Sequence, residues 1–308
     1  MTRRRPVPLS IVALALAAGA TPNASLERQA TFRARADLVT VDVSVRRGNR
    51  PVADLTAGAF RLFDNGVPQE IDWARADTMP IDVTLIVDVS GSTAGALDGF
   101  RQDIVEIATL LSPIDRLQLL SFADNVEQVF PLQAASARPR VERLESSQLT
   151  SVNDAAIAGL LQRPTLDRRQ LTVIFTDGQD TISRLPAEII EQVASRSETV
   201  LHVVWAGHRG PRTDAMVLLP RSMPGVGENA RQALEAAAEA TGGRTHDTGI
   251  FRRSLVGPFT RIFAEMRASY VLRYSPRGVE PGGWHTIRVE VTGRGDLEIR
   301  ARRGYFGG

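Results

Sequence analysis

Two stretches of the chain, Ile81–Val87 and Leu171–Phe175, are apolar at almost every position. A strand with one wet face alternates apolar and polar residues. One that does not alternate must be covered on both faces, as central parallel strands are by helices above and below. The segments around these runs supply the helices. Leu97, Phe100, Ile104, Ile107 and Leu111 recur at helical spacing, as do Leu255, Phe259, Ile262, Phe263 and Met266. Val152–Leu161 reads as a helix, Pro186–Ser195 as another with Pro186 in its first turn, and Leu234–Ala240 as a third stopped by Gly242-Gly243. Val200–Val204 is a further apolar strand. Leu117–Phe122 and Val126–Leu132, separated by Asp124-Asn125, read as a hairpin at the sheet edge. The βαβα order implies an α/β fold over residues 80–267: a doubly wound, mostly parallel sheet between two helix layers. His208 to Gly227, rich in Gly, Pro and Arg, reads as an insertion loop.

On either side the period changes to two. Val39, Val41, Val43 and Val45 alternate with polar residues, and Phe60–Phe63 followed by Asp64-Asn65-Gly66 reads as a strand and tight turn, with Ile71–Ala74 as the returning strand. After the α/β region, Tyr270, Leu272 and Tyr274 alternate, as do Ile287, Val289 and Val291, and Leu297, Ile299 and Ala301. Neither flank has enough strands for a stable sheet of its own. Residues 37–78 and 269–306 are therefore expected to pair into one small β-sandwich, with the α/β unit inserted between its strands.

The N-terminus has the features of an export signal over residues 1–20: Arg3-Arg4-Arg5, the apolar Ile11–Ala18, and Ala18-Gly19-Ala20 as cleavage site. Residues 21–36 form a linker, and no later segment is apolar enough to span a membrane. The expected location is the periplasm or beyond. Removing the three signal arginines from the 37 basic residues leaves 34 against 35 acidic ones, a balance that does not suit nucleic-acid binding. All 37 basic residues are arginine and cysteine is absent. These absences exclude thiol nucleophiles, thiolate metal sites, Schiff-base lysines and the lysine of a phosphate-binding loop.

The chemistry gathers at strand ends. Asp88-Val89-Ser90-Gly91-Ser92 follows the first apolar run, Thr176-Asp177-Gly178 closes the second, and Thr150 stands four residues before Asp154. Open α/β sheets bind ligands beyond the carboxyl ends of their strands. Two carboxylates roughly neutralise one divalent cation, and hydroxyls add hard oxygen donors without further charge. The order D-x-S-x-S, then T, then T-D-G resembles the metal-ion-dependent adhesion site (MIDAS) of the von Willebrand factor type A (vWA) family, a Rossmann-like fold. The flanking β segments resemble those of a bacterial exported vWA-related subfamily. The resemblance implies that Asp88, Ser90, Ser92, Thr150 and Asp177 hold the ion directly or through water. The ion would be Mg²⁺, with Mn²⁺ or Ca²⁺ as alternatives, and a carboxylate of a protein partner would complete the coordination. Many relatives carry glycines just before the threonine, whereas this chain has Gln148-Leu149, which puts the Thr150 loop in a different setting.

The expected function is a non-enzymatic, metal-dependent protein-binding module. A metal-dependent hydrolase would use the same ion, but no His, Glu or Lys lies in the three motif segments to act as base. A structural assembly subunit with an idle site is the third reading. Asp154 is expected to orient the 150s loop, and Asp180 to lie at the surface or behind the ligands. His202, His208, His246 and His285 fall in unrelated segments and are expected to be structural or solvated.

Overall fold

The computed structural model describes residues 38–48, 50–76, 79–205, 226–248, 254–293 and 295–307. The expected signal (1–20) and linker (21–36) lie outside these residues, as does the insertion loop up to residue 225. The N-terminal flank contributes β1 (Val39–Arg47), β2 (Arg50–Pro51), β3 (Phe60–Asp64), β4 (Val67–Gln69) and β5 (Trp73–Ala76). The α/β unit follows: β6 (Ile81–Asp88), α1 (Leu97–Leu110), β7 (Arg116–Phe122), β8 (Val126–Ala134), α2 (Val152–Leu160), β9 (Arg169–Thr176), α3 (Glu188–Ala194), β10 (Val200–Trp205), α4 (Val226–Ala240), β11 (Thr245–Asp247) and α5 (Val256–Ala268). The C-terminal flank adds β12 (Tyr270–Tyr274), β13 (Gly283–Val291), β14 (Glu298–Ala301) and β15 (Gly304–Gly307).

The six strands of the α/β unit run in the order β11-β10-β9-β6-β7-β8, all parallel except the edge strand β8. The two largely apolar runs feed two cores at once. Leu85, Val87, Val173 and Phe175 pack with Phe100 and Ile104 of α1 and Phe259 and Ile262 of α5. Ile86 and Ile174 pack with Ala155 of α2, Ile190 of α3 and Leu234 of α4. From β6 the chain moves to β7 on one side, and from β9 to β10 on the other. The crevice where such a sheet binds ligands therefore opens beyond Asp88 and Thr176.

Both flanks enter both remaining sheets. One has the order β14-β1-β12-β5, with β2 paired to β1, and the other β15-β13-β3-β4. Val41 and Val43 of β1, Leu62 of β3, Leu272 and Tyr274 of β12 and Ile287 of β13 belong to one buried apolar cluster. The returning strand after Asn65-Gly66 differs from expectation: it is Val67–Gln69, not Ile71–Ala74. Asn65 and Gly66 both have positive φ, 47° and 81°, a two-residue turn that makes Asp64 and Val67 direct partners. The chain then crosses to the other sheet, where Trp73–Ala76 pairs with β12. Helix α4 also starts earlier than expected, taking in Val226 and Gly227 at the end of the arginine-rich loop.

Arginine side chains join the α/β unit to the flanks. Arg169, at the start of β9, donates to Asp42 of β1 at 2.6 Å, the Met266 carbonyl at 2.7 Å and Ser269 Oγ at 2.5 Å. Its guanidinium is buried, so removing it leaves several acceptors unmatched. Because Asp42 keeps some solvent, Arg169→Ala should cost about 2 kcal/mol, below the usual figure for a fully buried pair. Urea unfolding would check this.

Candidate metal centre

Asp88 ends β6 almost fully buried. Its Oδ1 accepts from the Ser90 backbone N–H at 3.0 Å and from Ser90 Oγ at 2.6 Å. Its Oδ2 accepts from Thr176 Oγ1 at 2.8 Å. Ser90 Oγ lies 3.3 Å from Ser92 Oγ, and Ser92 Oγ donates to Asp177 Oδ2 at 3.0 Å. Asp177 Oδ1 accepts from the Gln179 N–H at 3.0 Å. Asp88, Ser90, Ser92 and Asp177 thus form one continuous chain of oxygen contacts, from a buried carboxylate to the exposed Ser92. The turn beneath is fixed by the Thr93 hydroxyl, 2.8 Å from the Ser90 carbonyl and 3.0 Å from that of Asp88.

Thr150 is not joined to this chain by any described hydrogen bond. Its described hydrogen bonds all run through its backbone, to Thr181 and Ile182. The loop is nevertheless tied to the Asp88 turn: Ser147 N–H donates to the Val89 carbonyl at 3.2 Å, and Gln148 lies against Gly91, with its carbonyl 3.6 Å from where a Cβ there would sit. The Gln148 side chain thus occupies room beside the DxSxS turn that glycine would leave open.

Burial, and then the charge of Asp177, pushes the Asp88 carboxyl up to about 6 despite its hydrogen bonds from Ser90 and Thr176. Burial also raises Asp177. Among the described residues, no arginine or histidine is among the groups that shift these two acids. A hard dication fits that deficit and the all-oxygen donor set. Among the described residues no three His, Asp or Glu side chains cluster for a metal, so any ion here depends on the hydroxyls as well as the two acids.

Several roles were not legible in the sequence. Thr176 is the clearest, because its hydroxyl holds Asp88 Oδ2 while accepting from the Gly178 N–H at 3.0 Å. Asp180 is buried rather than superficial. It accepts from the Val152 N–H at 3.0 Å and from Ser183 Oγ at 2.5 Å, and so caps α2 from another loop. Asp154 holds the 180s loop, accepting from the N–H groups of Arg184 and Leu185, each at 3.0 Å. His202 and His246 are not in unrelated places, since β11 pairs with β10 and sets their ring nitrogens 3.0 Å apart. His285 is buried against Asp64 at 2.8 Å, and His208 lies outside the described residues.

Gly178, with φ +81°, has Trp205 pressed beneath it: an added Cβ would lie 2.9 Å from the indole ring. Arg231 of α4 stacks on that indole, 4.1 Å from the ring centroid. Gly178→Ala should lower stability by about 1–2 kcal/mol from the left-handed backbone alone. It should also shift Asp177, so calorimetry should show weaker Mg²⁺ binding.

No family model and no curated protein matches the chain. Among solved structures it is similar to the conserved hypothetical protein BatB from Bacteroides thetaiotaomicron, with 17% identity, 60% of this chain and 98% of that one covered, and a TM-score of 0.44. It is also similar to a von Willebrand factor type A protein from Catenulispora acidiphila, with 10% identity, 89% of this chain and 75% of that one covered, and a TM-score of 0.46. The chain is similar to vWA proteins. Another vWA-like match is proximal thread matrix protein 1 from the mussel byssus, whose structure has a zinc-occupied MIDAS motif; identity is 11%, coverage 66% of this chain, and the TM-score 0.45. This chain spans about half of that protein's length, 49%.

Proposed function

We propose that this chain is an exported, metal-ion-dependent protein-binding module of vWA type, its α/β unit inserted into a β-sandwich built by the two flanks. The observation that carries the reading is the convergence of Asp88, Ser90, Ser92 and Asp177, two acids and two hydroxyls, with burial and the charge of Asp177 raising the Asp88 carboxyl. These four residues would hold the ion, with Thr150 joining from the neighbouring loop. Mg²⁺ suits the donors best, with Mn²⁺ or Ca²⁺ as substitutes. When bound, the dication supplies an electrophilic position on the solvent side for an Asp or Glu carboxylate of a protein partner. Asp88 and Asp177 balance charge, Ser90 and Ser92 bring neutral oxygens, and Thr176 and Thr93 keep the turn in place. The two apolar cores that fix the ends of β6 and β9 support this preorganisation. The N-terminal export features accord with work in the periplasm or outside the cell.

Calorimetric titration with Mg²⁺ tests the reading directly. The wild type should bind one ion, and Asp177→Ala should lose at least tenfold in affinity, a loss of one charged ligand worth more than 1.4 kcal/mol. Equal binding by the two proteins would refute it. In a Trp73→Phe/Trp284→Phe background the remaining indole, Trp205, should report the same event by fluorescence through Gly178.

A further inference from the structure

We propose that the outer edge of β15 docks an extended segment of another protein, which pairs with it as an added strand and sets an Asp or Glu against Arg196. The site is separate from the cation crevice. β15 ends the order β15-β13-β3-β4, so among the described residues no strand pairs with its outer side. Ile287 N–H donates to the Arg303 carbonyl at 2.9 Å, and the register sets Tyr305 opposite His285 and Phe306 opposite Trp284. Along an antiparallel strand the backbone groups turn alternately towards the partner and away from it. Arg303, Tyr305 and Gly307 therefore face β13, while Gly304 and Phe306 face the open edge. Arg302 Nε donates to the Gly304 carbonyl at 2.8 Å. The Gly304 N–H and both backbone groups of Phe306 remain for an incoming strand.

The side chains beside this edge touch one another. Trp284 and Phe306 are 39% and 42% exposed, and their ring centroids lie 5.3 Å apart with the planes at 59°. Arg196, two residues past α3, lies over the Phe306 ring, 3.9 Å from its centroid. Its Nη1 donates to the Gln192 carbonyl at 3.1 Å, and among the described residues it forms no ion pair. Neighbouring charges are matched: Arg303 meets Glu239 at 2.5 Å, and Glu198 acts on Arg302. The inner face of the strand is pinned. Tyr305 donates to Asp64 Oδ2 at 2.9 Å and stacks on buried His285, centroids 4.5 Å apart. A Cβ at Gly304 or Gly307 would run into the carbonyl of His285 or Pro281, so the strand lies tight against β13. An edge fixed before binding lowers the ordering cost.

These features limit the occupant. Free main-chain groups on a sheet edge recognise a peptide backbone, and the surface beside them selects alternate side chains. Two rings tilted at 59° make a notch for an aliphatic side chain rather than a flat platform for sugar rings. An unpaired guanidinium at that notch calls for a carboxylate. Residues two apart on a strand share a face, so the segment reads apolar, any residue, acidic. A second copy paired two-fold across the same edge would bring Arg196 towards its own counterpart. Charge thus favours a different, acidic partner.

The test uses the full chain and two fluorescein-labelled peptides, GTVTETG and GTVTKTG, followed by anisotropy in EDTA. The acidic peptide should bind about tenfold tighter, the gap between an attractive and a repulsive exposed pair. Arg196→Glu, a change at an exposed side chain, should reverse that order. Trp284→Ser/Phe306→Ser should lose both peptides with an unchanged circular dichroism spectrum. N-methylating either the valine and glutamate amides or the threonine amides should abolish binding in one case and spare it in the other, as pairing along a single edge requires. Equal binding of the two peptides, no binding of either, an order that survives in Arg196→Glu, or indifference to both methylation patterns would overturn the proposal. Binding that requires Mg²⁺ would move the peptide to the cation crevice and overturn it too. Chitin oligomers bound in place of the peptides would assign the aromatic pair to a glycan, and dimerisation abolished by Phe306→Ser would assign the edge to a second copy; either result overturns the inference.

Discussion

In EDTA at neutral pH, Asp88→Asn is expected to be more stable than the wild type by about 2 kcal/mol. Each unit of pKa displacement corresponds to about 1.4 kcal/mol, and burial together with Asp177 lifts the Asp88 carboxyl from 3.8 to about 6. A neutral amide of the same shape removes most of that penalty and can still accept from Ser90. Adding Mg²⁺ should reverse the ranking: the wild type gains with ion concentration, and the variant does not. The pH dependence follows from the same displacement. The folded value lies above the unfolded one, so the native state takes up the proton first as pH falls. In EDTA the Asp88 contribution therefore grows more favourable from about pH 6 down to 3.8, while Mg²⁺ binding weakens over that range because the ligand must be ionised. Urea denaturation of both proteins, with Mg²⁺ and with chelator, measures every arm. An Asp88→Asn variant less stable than the wild type in EDTA would contradict the strained-carboxylate account.

The second large effect has the opposite sign. His202 and His246 face each other at 3.0 Å. Burial first, then each other and Arg244, hold His202 well below its ordinary value; burial, Arg244 and Arg261 bring His246 down to about 4. With folded values below 6.5, the unfolded chain takes up protons before the native one. Stability from the pair is complete above pH 6.5 and lost as pH falls towards about 4. His246 alone should lose roughly 2 kcal/mol by about pH 5, at about 1.4 kcal/mol per unit, and His202 adds to the loss in the same direction. In the wild type without metal, Asp88 offsets part of it. Asp88→Asn should therefore show a steeper acid loss than its parent, a comparison that separates the two contributions. A flat profile for Asp88→Asn between about pH 7 and 5 would mean the imidazoles protonate freely in place.

Much of the fold was legible because its signals are strong and local. Unalternated runs marked β6 and β9, Asp124-Asn125 marked the β7–β8 hairpin, and the polar residues just after the apolar runs marked the rim of the crevice. What stayed hidden depends on contacts between distant segments. Thr245–Asp247 has no apolar residue, so β11 appears only through its pairing with β10. Thr176 reads as the last residue of a strand, and its grip on Asp88 exists only because β6 and β9 are neighbours. Asp180 looks like a surface acid until the start of α2 is seen to need a cap that Ser151 does not supply. Ile71–Ala74 was misplaced because a two-residue turn leaves the return strand no gap to cross.

The interleaving of the two flanks also dictates an order of assembly. Val39 pairs with Tyr274 and Phe60 with Val291, so in a nascent chain β1 and β3 have only their short local partners β2 and β4 until β12 and β13 have been made. Such distant pairings are slow to form from an open coil. A folded α/β unit shortens the search, because Arg267, near its end, donates to the carbonyl of Met79, just before its start, at 3.1 Å. The middle of the polypeptide would then act as the clasp that brings the two ends together. A chain cut short after α5 would be left with bare, sticky strand edges rather than with a smaller working protein.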